Sequence, residues 1–148
     1  MTALTGGCQC GAVRFSVSGE LGRASICHCR MCQKAFGAFY GPLVSAPGVA
    51  WTRGAPAHFQ SSNRARRGFC PACGTPLTFE PDDGPVELAI GAFDDPAAVR
   101  PVIQHALESR IPWLSETDTL PIRTPSEAAK VEPYYASIVS RQHPDHDT

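Results

Sequence analysis

All seven cysteines of this 148-residue chain fall into three short motifs. Cys8-Gln9-Cys10 lies near the start, Cys27-His28-Cys29-Arg30-Met31-Cys32 sets three thiols in six residues, and Cys70-Pro71-Ala72-Cys73 follows near the middle. A Cys-x-Cys segment built as a strand turns both sulfurs to one face, because strand side chains alternate. Such a pair can present two thiolates to one metal ion. Cys-x-x-Cys has the spacing of zinc ligands on a turn. Cys8, Cys10, Cys70 and Cys73 therefore add up to a four-sulfur set suited to closed, structural zinc. Cys27, Cys29 and Cys32 make a three-sulfur set whose fourth position is open to water or substrate, the pattern of a catalytic zinc. Two zinc ions per chain account for every cysteine.

Other assignments compete with these. The outer cysteines could be disulfides or free core thiols. The inner set could be closed by His28 or an oxygen ligand and so be structural, or one of its cysteines could act directly as a nucleophile. On a strand, His28 falls on the face opposite its two flanking cysteines, which points its imidazole away from the metal.

Fourteen prolines and thirteen glycines favour turns and short strands over long helices. The length suits one domain, expected over residues 1–142, with 143–148 as a flexible tail. No stretch approaches the run of about 18 apolar residues that crosses a membrane, and the first residues show no basic and apolar leader pattern. A cytoplasmic location is the expectation, and there clustered cysteines bind metal more often than they pair. The net charge of −1 conceals a segregation. Residues 1–79 carry eight Arg or Lys and one acid, Glu20, for +7, whereas residues 80–148 carry five basic and thirteen acidic residues, for −8. Four thiolates on a divalent zinc leave a charge of −2 and three leave −1, so the basic half surrounds anionic centres and compensates them. The same cations also suit an anionic substrate.

Val13, Phe15 and Val17 alternate with polar residues as a half-buried strand, and residues 23–28 lead as a second strand into the inner cysteines. Residues 36–45, bent at Gly41-Pro42, and 49–52, 57–60, 75–80, 86–92 and 102–108 read as further strands. Residues 61–68 read as a polar, basic loop delivering the Cys70 knuckle, where Gly74 is free to take positive φ. One helical turn is expected over 94–99, and short helices over 126–130 and 134–141.

Three segments together carry a family resemblance: Gly-Gly-Cys-Gln-Cys-Gly-Ala-Val-Arg-Phe at 6–15, Cys-His-Cys-Arg-Met-Cys at 27–32, and Arg-Gly-Phe-Cys-Pro-Ala-Cys-Gly-Thr-Pro-Leu at 67–77. They resemble the glutathione-dependent formaldehyde-activating enzyme family, which includes centromere protein V. The resemblance runs over about residues 6–115, with weaker matches at His105 and Trp113, which read as packing residues. It implies a mainly β, Mss4-like fold of short antiparallel strands with zinc-binding cysteine knuckles. It also implies structural zinc on Cys8, Cys10, Cys70 and Cys73 and catalytic zinc on Cys27, Cys29 and Cys32. The implied activity is a carbon–sulfur lyase reaction, the reversible addition of glutathione to formaldehyde. The expected partners are thus a small-molecule thiol and aldehyde, with Arg64, Arg66 and Arg67 pairing with the carboxylates of glutathione. A non-catalytic, zinc-stabilised binding module is the alternative. A nucleic-acid role is disfavoured, because the acidic half repels phosphates.

Overall fold

The alternation around Phe15 marks the centre of the core. The computed structural model describes residues 2–148. Ten strands follow one another as Leu4–Gly7 (β1), Arg14–Val17 (β2), Ala24–Cys27 (β3), Gly41–Ser45 (β4), Val49–Arg53 (β5), Ala57–Gln60 (β6), Ala65–Phe69 (β7), Pro76–Pro81 (β8), Glu87–Ala89 (β9) and Ile103–His105 (β10). Two α-helices join them, Arg30–Phe36 (α1) and Pro125–Ala136 (α2). Strands β1, β2 and β5 form one sheet, and the other seven form a second in the order β10-β3-β4-β9-β8-β7-β6. Among the described residues only β10 against β3 runs parallel. The fold is β-rich, as expected.

The core draws on both sheets. Phe15 is fully buried and meets Trp51 and Phe93 edge-on, with ring centres 6.0 and 5.2 Å away. Val13, Val17, Val44, Leu77 and Leu88 fill the space around them. Gly6 lies so close to the Phe15 ring and the backbone of Ala92 and Phe93 that a side chain has no room there.

Several local expectations give way to tertiary structure. The spacing of Cys29 and Cys32 predicts a turn, and the apolar residues from Phe36 predict a strand. Residues 30–36 are instead helical, because the Cys29 sulfur caps α1 by accepting the Cys32 N–H at 3.3 Å and Gly37 ends it in the left-handed region at φ 59°. Seven residues are too few to display a helical repeat in sequence. The basic stretch 61–68 is a loop only at its start. From Ala65 it is strand β7, with Ala65 and Arg67 buried and Arg66 facing out. The expected strands around residues 49–52 and 57–60 exist but belong to different sheets. The two short helices expected after residue 125 are a single helix that accommodates Pro133 and starts from a Thr124–Glu127 capping box. Residues 143–148 hydrogen-bond to the turn after β1 and to the end of β5: the His143 N–H donates to the Gln9 carbonyl at 2.7 Å and Arg53 Nη2 to the Thr148 carbonyl at 2.7 Å. Among the described residues no helix is long and apolar enough to cross a membrane.

One buried ion pair joins the sheets' flank. Arg14, 2 % exposed, donates from Nη1 and Nη2 to the two oxygens of Asp94 at 2.8 and 2.6 Å, and the Thr5 hydroxyl donates to Asp94 Oδ2. The Arg14 hydrogen bonds hold the Asp94 carboxyl below the usual range, against the opposing effect of burial and with help from Thr5. A carboxyl depressed in the folded state contributes stability above its unfolded pKa of about 3.9, and that stability is lost as pH falls through the folded value. Asp94→Asn is therefore expected to cost about 2 kcal/mol at pH 7, because it removes the bidentate partner of buried Arg14 and leaves Asp147, at 3.5 Å, as the remaining acid. Urea unfolding of both proteins across acid pH checks this: the gap between them should shrink as Asp94 of the parent protein protonates, and a pH-independent gap would contradict it.

Candidate metal centres

The outer cysteines meet because two tight turns face each other. Cys8 follows β1 and closes a turn in which its N–H donates to the Val13 carbonyl at 2.9 Å, while the Val13 N–H donates to Cys8 Sγ at 3.2 Å. Cys8 and Cys10 thus lie on a turn, not on the strand that their spacing suggested. Between β7 and β8, the Cys70 N–H donates to the Thr75 carbonyl and the Gly74 N–H to the Cys70 carbonyl, with Gly74 at φ 81°. That knuckle is the one predicted from sequence. Thr75 is a contributor that the cysteine spacing did not reveal: its Oγ1 accepts the Gln9 N–H at 2.9 Å and lies 3.2 Å from Cys73 Sγ. One hydroxyl thereby ties the two turns together. Burial raises the Cys73 thiol, but the Thr75 hydroxyl and backbone outweigh it and hold the group at about 6.

The sulfur spacing tests the fit to a metal. Zinc–sulfur bonds of about 2.3 Å in a regular tetrahedron set the sulfurs about 3.8 Å apart, whereas a disulfide needs about 2.05 Å. Cys8 and Cys10 Sγ are 3.6 Å apart, Cys10 and Cys70 Sγ 3.8 Å, and all four outer sulfurs lie within 4.8 Å of one another. All seven cysteines are free. The disulfide alternative fails on distance, and four soft donors at tetrahedral spacing fit zinc.

Cys27, Cys29 and Cys32 converge by a different route. Cys27 ends β3, Cys29 caps α1 and Cys32 lies in its first turn, 3 % exposed. Their sulfurs again fall within 4.8 Å, and among the described residues no His, Cys, Asp or Glu joins them as a fourth. His28 is turned aside. Its Nε2 lies 3.0 Å from Gln104 Oε1, its ring meets Tyr40 edge-on, and its backbone N–H donates to the His105 carbonyl. Gln33, 3 % exposed, anchors this loop by donating from Nε2 to the His28 carbonyl at 2.7 Å and to the Ser109 carbonyl at 3.0 Å. No spacing rule marks a single glutamine on a short helix, so sequence reasoning had no route to it. Burial pushes the Cys32 thiol up to about 12 against the pull of Arg67, whose Nη2 donates to Cys32 Sγ at 3.4 Å.

The three arginines expected to act together are separated. Arg64 pairs with Asp83 at 3.1 Å and Arg66 with Glu80 at 2.7 Å, both arginines being largely exposed. Neighbouring strand residues face opposite ways, so Arg66 and Arg67 point apart, and only Arg67 reaches the inner cysteines. His105 and Trp113 are not buried packing residues. His105 is exposed, and Trp113 keeps 49 % of its surface open while meeting Phe39 edge-on at 4.9 Å.

A crystal structure of a Rhodobacter sphaeroides protein is 23 % identical, covers 68 % of this chain and 98 % of its own, and superposes with a TM-score of 0.52, which establishes likeness of fold. No curated protein matches the chain. The family described as glutathione-dependent formaldehyde-activating enzyme matches residues 3–109, which contain all seven cysteines and both sulfur clusters. The chain belongs to the glutathione-dependent formaldehyde-activating enzyme family.

Proposed function

We propose that the protein is a zinc-dependent carbon–sulfur lyase that adds a thiol such as glutathione to formaldehyde or another small aldehyde, reversibly, at Cys27, Cys29 and Cys32. The observation that carries this is the convergence of three buried or half-buried sulfurs without a fourth protein ligand. Three protein ligands leave room for a substrate atom, whereas the outer set of four is closed. Zinc held there supplies acidification of a bound thiol, so that thiolate is available near neutral pH.

The residues of the chain then have separate tasks. The three thiolates hold the cation, and Arg67 Nη2, 3.4 Å from Cys32 Sγ, offsets part of their negative charge. Gln33 fixes the loop that carries Cys29. In the addition, the thiol sulfur forms a bond to the aldehyde carbon, the carbon–oxygen π pair moves to oxygen, and that oxygen takes up a proton. The proton lost from sulfur balances the one gained by oxygen, and the product is an S-hydroxyalkyl adduct. The reverse reaction returns thiol and aldehyde. A second zinc on Cys8, Cys10, Cys70 and Cys73 serves folding by clamping the N-terminal turn to the β7–β8 knuckle. Chemistry that depends on reduced thiols suits a cytoplasmic setting.

The two clusters should separate under mutation. Cys29→Ser is expected to remove one of two zinc ions, to leave the unfolding temperature within a few degrees of the parent, and to abolish adduct formation above the uncatalysed rate. Metal analysis and NMR exchange between formaldehyde and glutathione measure these effects, and an undiminished rate in Cys29→Ser would sink the assignment. Cys73→Ser should remove the other zinc and lower the unfolding temperature by at least about 10 °C, because structural zinc sites contribute directly to folding. An unchanged unfolding temperature would show that the outer site is not structural.

A further inference from the structure

The outer sulfur cluster is buried on one side and open on the other. Cys8 and Cys70 are buried, whereas Cys10 and Cys73 are exposed. A cavity of about 500 Å³ adjoins the two exposed cysteines, and residues 138–142 form its opposite wall. The last part of the chain therefore passes over the open side of the cluster. The same part is tied to the turn that carries Cys8 and Cys10. The His143 N–H donates to the carbonyl of Gln9, the residue between those cysteines, at 2.7 Å. The His143 ring lies against Gly11, which has φ 79° and where any side chain would meet that ring. Arg53 bridges the two parts, donating from Nη1 to the Gly11 carbonyl at 3.1 Å and from Nη2 to the Thr148 carbonyl at 2.7 Å. Buried Arg14 adds a bond from Nη2 to the His146 carbonyl at 3.3 Å. Apolar burial contributes little, since every residue from 120 to 142 except Val131 is exposed. A segment held by a few partly exposed hydrogen bonds opens at much lower cost than the core.

We propose that residues 138–148 form a latch that sets the rate at which the outer cluster exchanges its metal. A metal leaves a four-sulfur site by losing ligands in turn, and the ligands that a competing chelator reaches first are the exposed Cys10 and Cys73. The docked latch borders the approach to both sulfurs and, through Gln9 and Gly11, holds the Cys8–Cys10 turn in its ligating shape. Undocking frees that turn and widens the approach. The inference rests on zinc occupancy of the outer cluster, and it is independent of the reaction assigned to Cys27, Cys29 and Cys32. His143 and Arg53 act as positioning residues, since they touch the turn and not the metal.

The test follows zinc release from the loaded full-length protein to the chromophoric chelator 4-(2-pyridylazo)resorcinol. Two ions should leave in two phases, and the phase that Cys29→Ser lacks belongs to the inner cluster. His143→Pro removes the N–H that bonds to Gln9 and leaves every cysteine and the turn itself unaltered. It should speed the outer phase several-fold, leave the inner phase as it is, and hold the unfolding temperature within a few degrees of the parent. His143→Gln keeps that N–H and should release zinc at a rate closer to the parent. An outer phase unchanged by His143→Pro would overturn the latch while leaving the zinc assignment standing. Both phases speeded alike would mark general loosening and likewise overturn it. Metal analysis that finds no zinc on the outer cluster would overturn the latch and the structural zinc together.

Discussion

Thiolates repel one another, and bringing several within 4 Å requires a cation or a proton between them. That constraint governs this fold. The outer cluster joins residues from the first turn of the chain to a knuckle near the middle, and the bond network around Thr75 sets the spacing of those turns. The inner cluster joins the end of β3 to the start of α1. With zinc bound, the outer cluster would give the fold a point of attachment beyond its hydrophobic packing. Short strands of three to six residues can therefore make a stable structure around a modest core.

The buried Arg67 belongs to the same logic. A guanidinium in the interior needs acceptors, and the Cys32 sulfur is one, which zinc binding would make a thiolate. Among the described residues, no other arginine or lysine side chain donates to a cysteine sulfur. Further cations of the basic half meet the acids of the second half instead: Arg14 with Asp94, Arg64 with Asp83, Arg66 with Glu80. The charge segregation along the sequence thus becomes interleaving in space. General compensation of thiolates by arginines, the simplest expectation from the sequence, holds for one side chain and not for the set.

What the sequence disclosed follows from which interactions have a fixed local spacing. Cysteine ligands do, so the division into four and three was legible from spacing alone, as were Gly74 in its knuckle and the strand around Phe15. Interactions made across the fold have no such signature. Gln33 and Thr75 act through backbone groups far away in sequence. The helix α1 is too short to show periodicity, and its cap is a cysteine, which the metal pattern had already claimed. Strand β7 was hidden because arginines read as solvent-facing, and only the sheet reveals that one of its two, Arg67, points inward. The docking of residues 143–148 onto Gln9 and Arg53 depends on backbone carbonyls, to which sequence is blind.

The division of labour between a closed and an open sulfur site can be measured directly. X-ray absorption at the zinc edge, combined with metal content per chain, counts the sulfurs around each ion. Without added thiol, four sulfurs at one site and three at the other predict two zinc ions per chain and an average first shell of about 3.5 sulfurs, completed by a lighter atom. One zinc ion per chain with a pure four-sulfur shell, alongside three titratable thiols, would contradict the open site and with it the chemistry assigned to Cys27, Cys29 and Cys32.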